Sequence, residues 1–160
     1  SCNNVQSQGN HRRRFDRNHK EGVLMAVFSS TEELHRIMED LWNAIKSDEQ
    51  MAGQLLASRL IVQFHYREPE GRLTIDCSDG VEMKIHSGEC EKKPIVEMFM
   101  KSDVAHEFWL GKVNVPMALL QGKIVSKGPV SKALALLPAL KPAYPMYPTV
   151  IKNNGLKVSV

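Results

Sequence analysis

The chain has 160 residues, 21 Lys/Arg against 18 Asp/Glu and 42% hydrophobic residues, for a formal charge of +3. That length supports one domain with one sizeable core. The positive excess sits in residues 1–24, where five basic groups meet two acids; the other 136 residues carry sixteen of each, and a folded body without a net basic charge argues against nucleic-acid binding.

Residues 1–24 are polar and Asn/Arg-rich, with no apolar stretch of the signal-peptide kind. A disordered basic extension is expected there, with Met25 as the start of the natural chain. Cys2, Cys77 and Cys90 are odd in number and have no C-x-x-C spacing. Neither a disulfide framework nor a zinc site follows, and a reducing, cytoplasmic compartment is expected. No apolar run approaches the roughly 18 residues that span a bilayer.

The first element is a helix in "SSTEELHRIMEDLWNAIKSD", where Leu34, Ile37, Met38, Leu41, Trp42 and Ile45 keep helical spacing. Ser30 and Glu33 form a capping box, and Ser47 with Gln50 repeats the signal for a second helix near residues 48–56. From Leu60 the period becomes two: Leu60, Val62, Phe64 and Tyr66 oppose Gln63, His65 and Arg67. The turn "EPEG" leads to a strand carrying Leu73, Ile75 and Cys77, and "SDG" to a third carrying Val81, Met83 and Ile85. A fourth strand, "IVEMFMKS", is apolar at Ile95 and Phe99 as well as at Val96, Met98 and Met100, so it is expected inside the sheet and covered on both sides.

Helical spacing returns at Val104, Ala105, Phe108 and Trp109, capped by Ser102 or Asp103 and stopped by Gly111. Asn114 caps the next helix, with Pro116 in its first turn and Gly122 at its end. "KIVSK" is a fifth strand. "VSKALALLPAL" is a last helix, kinked or ended by Pro138, and "KPAYPMYP" an extended tail. The order is that of an α+β domain.

The familiar chemical motifs are absent. Gly122-Lys123 lacks the first glycine of a phosphate-binding loop, whose place is taken by Met117, and Ile124 replaces the hydroxyl residue. His106-Glu107 opens like a zinc-protease motif, but Leu110 stands where the second histidine belongs, leaving His106 an ordinary surface residue. The Asp76–Gly80 turn has the wrong spacing for calcium, and no G-x-S-x-G elbow exists. No cofactor, metal or catalytic residue is expected. The excess is apolar: "ALALLPAL" has no polar face, so it must be buried all round, against another helix or a bound apolar molecule. Eight methionines supply adaptable walls.

The run "FWLGKVNVPMALLQGKIVSKGPVSKALALLPAL" resembles the carboxy-terminal half of the sterol carrier protein type 2 domain. The resemblance lies in Gly111-Lys112-Val113-Asn114, the apolar Met117 to Leu120, Gly122-Lys123-Ile124 and Gly128. It implies a five-stranded, mostly antiparallel sheet of order 3-2-1-4-5, about five helices on one face, and an apolar tunnel between them. It also implies a lipid-binding domain over residues 25–145, with 146–160 as a C-terminal tail. Pro129-Val130-Ser131-Lys132 departs from the family pattern after Gly128, and the final "KVSV" is not a peroxisomal address.

The function expected is non-enzymatic binding, and transfer, of an apolar lipid of the fatty-acid, acyl-CoA, sterol or isoprenoid class, with transient contact to a membrane surface. Met98, Met100, Val104, Phe108, Trp109, Met117, Leu120, Leu134 and Leu137 are the expected tunnel wall. The alternative is a docking domain whose apolar helix face binds a partner enzyme. In both glycine-lysine pairs the glycine is expected to end a helix, the lysine following in solvent.

Overall fold

A computed structural model describes residues 26–156, so the extension expected at 1–24 lies outside it. Helices α1 (Thr31–Ser47) and α2 (Glu49–Ser58) precede strands β1 (Ile61–Arg67), β2 (Gly71–Asp76), β3 (Lys84–Ser87) and β4 (Val96–Lys101). Then follow α3 (Ser102–Trp109), α4 (Val115–Leu120), β5 (Ile124–Lys127), α5 (Val130–Leu134), α6 (Leu137–Leu140), a 3-10 segment (Lys141–Met146) and α7 (Tyr147–Asn153). The sheet order is β3-β2-β1-β4-β5, as expected, with β1 and β4 parallel and the other pairs antiparallel.

Helix α1 forms where its apolar spacing placed it. Ser30 accepts from the Glu33 N–H at 3.0 Å, while the Glu33 carboxylate reaches back to the Ser29 N–H at 2.8 Å. Its apolar stripe, Leu34, Ile37, Met38, Leu41, Trp42 and Ile45, is fully buried. The cap of α2 is Asp48 rather than Ser47: its carboxylate accepts from Met51 at 2.9 Å, since α1 still includes Ser47.

The sheet turns one face to the helices. Val62 pairs with Val96, Phe64 with Met98 and Tyr66 with Met100, so two neighbouring strands present a continuous apolar strip. The opposite face is polar and in part open. Gln63 donates to Thr74 at 2.9 Å, His65 meets Glu97 at 2.9 Å, and Phe99 lies between the His65 ring at 4.3 Å and the Lys127 ammonium at 5.2 Å. Strand β4 is interior, as expected, but a neighbouring ring and a lysine cover its second side in place of a packed layer, and Ile95 precedes the strand 41% exposed. Strand β3 starts later than expected because the Asp79 carboxylate accepts from the Val81 and Glu82 N–H groups, holding a turn that leaves Val81 80% exposed. Both edge strands, β3 and β5, have four residues.

Both glycine-lysine pairs end helices. Gly111 and Gly122 have φ of 79° and 76°. The Lys112 N–H donates to the Glu107 carbonyl and the Lys123 N–H to the Ala118 carbonyl, each at 2.9 Å, which is the six-to-one bond of a Schellman ending.

The C-terminal half brings four corrections. Neither Ser102 nor Asp103 caps α3: the Ser102 hydroxyl donates to the Pro69 carbonyl at 2.7 Å, and Asp103 accepts from the Val27 N–H at 3.0 Å, so both tie the helix to distant chain. Helix α4 buries Val115 and Ala118, leaving Met117 48% and Leu120 83% exposed. The last helix breaks into α5 and α6 at Ala135–Leu136, because Pro138 has no N–H to donate to the Leu134 carbonyl and instead sits in the first turn of the second piece. The tail is not extended: α7 buries Tyr147, Val150 and Ile151 against the core, and Asn154 bonds Arg36 and Asp40 of α1.

Candidate functional site

Between the apolar strip of β1 and β4 and the helices lies a cavity of about 100 Å³. The sheet supplies Val62, Phe64, Tyr66, Met98 and Met100. Trp42 comes from α1, Phe108 and Trp109 from α3, and Leu134, Leu137 and Leu140 from α5 and α6. The aromatic rings fix its shape: Trp42 meets Trp109 edge to face at 5.7 Å, and Phe108 meets Trp109 at 4.8 Å. Both tryptophans of the chain therefore stand in this wall.

No charged side chain lines the cavity. Burial raises the Tyr66 hydroxyl well above the ordinary tyrosine range. The Cys77 thiol is pushed up to about 11, chiefly by burial and then by the charges of Asp76 and Asp79, so at neutral pH it is no nucleophile. The Ser58 hydroxyl is occupied by the Leu55 carbonyl at 2.6 Å. The Trp42 indole N–H is buried with no hydrogen-bond partner among the described residues. The wall can thus exclude water, and its polar atoms are few; it holds no acid–base pair. Among the described residues there is also no cluster of metal-ligating side chains.

Of the nine residues expected to form the wall, Met98, Met100, Phe108, Trp109, Leu134 and Leu137 line this cavity. Val104 packs against the core elsewhere, and Met117 and Leu120 point into solvent from the far side of α4, whose inner side contributes Val115 instead. Trp42 and the β1 residues were missed as lining, although Val62, Phe64 and Tyr66 were legible as one face of a strand. The expectation that the last helix is buried all round also fails. No residue of α5 is buried, and Leu140 alone is buried in α6: Ala133, Leu134, Leu136 and Leu137 face the cavity half-buried, while Ser131, Lys132, Ala135 and Pro138 are exposed on the side away from it.

His106, expected on the surface, is buried. Its Nδ1 lies 2.8 Å from the Tyr147 hydroxyl, and its ring meets Phe28 edge to face. Burial lowers its pKa, against the opposing charges of Asp103 and Glu107. It fastens α7 to α3 beside the cavity but does not line it.

The model of the SCP-2 sterol transfer family matches residues 41–141. Solved structures are similar in fold at low identity. Sterol carrier protein 2 from Yarrowia lipolytica, in its apo form, is 18% identical with a TM-score of 0.56, covering 74% of this chain and 97% of that one. The ubiquinone synthesis protein UbiJ-SCP2 is 11% identical with a TM-score of 0.52, covering 66% and 87%. Sterol carrier protein domain 2 of Helicoverpa armigera is 18% identical with a TM-score of 0.50, covering 78% and 93%. No curated protein sequence matches the chain. No helix among the described residues is long and apolar enough to cross a membrane.

Proposed function

Since the chain belongs to the SCP-2 sterol transfer family, whose domains bind and transfer apolar lipids, we propose that it carries, without chemically changing it, one lipid whose apolar part enters the cavity between α5–α6 and the sheet. The observation that carries this reading is a wall of apolar and aromatic side chains with no charged group. Such a wall also limits the ligand. An ionised carboxylate or a phosphate would lose its hydration with no cation in return, so the charged end of a fatty acid or acyl-CoA stays at the surface while its chain enters. A sterol or isoprenoid alcohol can bury its neutral end, using the unpartnered Trp42 N–H as donor.

The cavity of about 100 Å³ is smaller than the ~150 Å³ that accommodates one benzene ring in an engineered core. Loading a lipid therefore requires α5 and α6 to move outward, and their two short, half-buried pieces suit that movement. The neighbourhood of Met98 and Met100 adapts to different shapes.

Because Trp42 and Trp109 are the only tryptophans and both line the site, intrinsic fluorescence reports its occupancy. Titrating delipidated protein with oleate, a sterol and a long-chain isoprenol should change the emission and raise the melting temperature for at least one of them. No change with any of the three, together with a stoichiometric polypeptide in native mass spectra of protein from its own cells, would favour the partner-docking alternative.

A further inference from the structure

The even charge balance outside residues 1–24 conceals a split. Residues 25–107 hold nine basic and sixteen acidic groups, whereas residues 108–160 hold seven lysines and no acid. Lys112, Lys123, Lys127, Lys132, Lys141 and Lys152 are all exposed, and none forms an ion pair among the described residues. Lys127 belongs to the outer face of the sheet, over Phe99 and in register with Glu97. Lys112 and Lys123 flank α4, Lys132 lies in α5 and Lys141 follows α6, while Lys152 belongs to α7, which does not line the cavity.

Helix α4 adds an exposed apolar feature to this cationic segment. Its inner side places Val115 in the cavity wall. On its outer side Met117 and Leu120, three residues apart, stand 48% and 83% exposed, Leu120 being the most exposed large apolar residue among those described. Lys112 precedes this helix and Lys123 follows it, each three residues from its end; Glu107, on α3, is the acid nearest in sequence. One six-residue helix offers far less than the roughly 800 Å² per partner of a stable protein interface. A bilayer needs only shallow insertion of an apolar side chain between anionic headgroups.

We propose that the outer side of α4, with Leu120 and Met117 between Lys112 and Lys123, docks on an anionic lipid bilayer. Leu120 enters the boundary between headgroups and acyl chains, and the lysines meet lipid phosphates. This rests on the reading of the cavity as a lipid site, since the helix that touches the bilayer is also a cavity wall, and docking sets the cavity beside its source of lipid.

The test is sedimentation of the full chain with vesicles of phosphatidylcholine alone or mixed equally with phosphatidylglycerol. Binding should require phosphatidylglycerol and weaken with added salt. Leu120→Asp should reduce it about tenfold or more, by losing an inserted leucine and adding a repelled charge. The double variant Lys112→Glu, Lys123→Glu should weaken it by at least about 25-fold, at about fivefold per lysine. Both variants change exposed side chains outside the cavity wall, so fluorescence with the cavity ligand should be unchanged. Undiminished vesicle binding by both variants would overturn the proposal and assign membrane contact to another part of the chain. No binding of the unaltered chain would overturn it too, leaving the α4 surface to a second copy or another protein. Leu120-dependent vesicle binding without any cavity ligand would uphold the docking surface and remove the lipid-carrier reading instead.

Discussion

Helices α1 and α5–α6 are both rich in leucine and both border the cavity, yet they are held in opposite ways. Helix α1 has seventeen residues, a side-chain cap and six core positions, none more than 3% exposed. Helices α5 and α6 have five and four residues, no side-chain caps, and one buried residue between them. Their difference lies in pattern rather than in hydrophobicity. Helix α1 has an apolar stripe and a polar back, so one packed side satisfies it. From Ala133 to Leu140 the α5–α6 segment has no polar side chain, and part of its surface borders space that the protein itself does not fill. Close packing makes the first region a foundation; its lack makes the second a cover.

The largest expected effect is on that contrast. Leu41→Ala should cost about 3–5 kcal/mol in urea unfolding, as for a close-packed core leucine. Leu137→Ala, at a wall already beside a void, should cost about 1 kcal/mol. Equal losses would mean that the cover is packed as tightly as the base.

Ligand sharpens the contrast from the other side. A lipid at a hundred times its dissociation constant should stabilise the native state by about 2.7 kcal/mol, visible as a higher melting temperature. The same lipid should do nothing for Leu137→Asp, which sets an unpaired carboxylate in the wall. Stabilisation retained by that variant would place the lipid elsewhere.

Side-chain caps are the next step down. Asp48→Ala and Asn114→Ala should each cost about 1 kcal/mol, because each removes the acceptor of a first-turn N–H. Ser131→Ala in α5 should leave the unfolding midpoint in place, as that helix has no side-chain cap to lose.

The smallest effect is on pH. Burial holds His106 below its ordinary value, so on acidification the unfolded chain takes up its proton first. Stability from this group is complete above about pH 6.5 and declines as the pH falls through the lower value of the folded state. His106→Gln should flatten that decline in unfolding midpoints between about pH 7 and about pH 5. Asp103 acts oppositely: burial raises its pKa, so its contribution is present at low pH and is lost as the pH rises through the folded value.

Where the sequence repeats a period over many residues, it was readable. Six apolar positions fix the inward face of α1, and the alternation in β1 fixes which residues face the helices. Both glycine-lysine endings were also legible, since a helix stop is a local event. Helix α4 was not: in six residues Val115-Ala118-Leu119 and Met117-Leu120 both fit a helical face, and the choice depends on where the sheet lies. Pro142, Pro145 and Pro148 suggested an extended tail, but Pro142 and Pro148 occupy the first turns of short helical pieces, where a missing N–H costs nothing. Burial of Tyr147 depends on His106, forty-one residues earlier, a contact that no local pattern announces.

The two four-residue edge strands bear on how the chain behaves at high concentration. An exposed strand edge is a template for the next molecule, and long flat apolar edges seed aggregates. Here one edge bears Lys84, and the other is flanked by Lys123 and ends in Lys127. Two such chains brought edge to edge would gain few backbone bonds, and the lysines at these edges would have to give up water, which disfavours edge-to-edge pairing whether or not the cavity is filled.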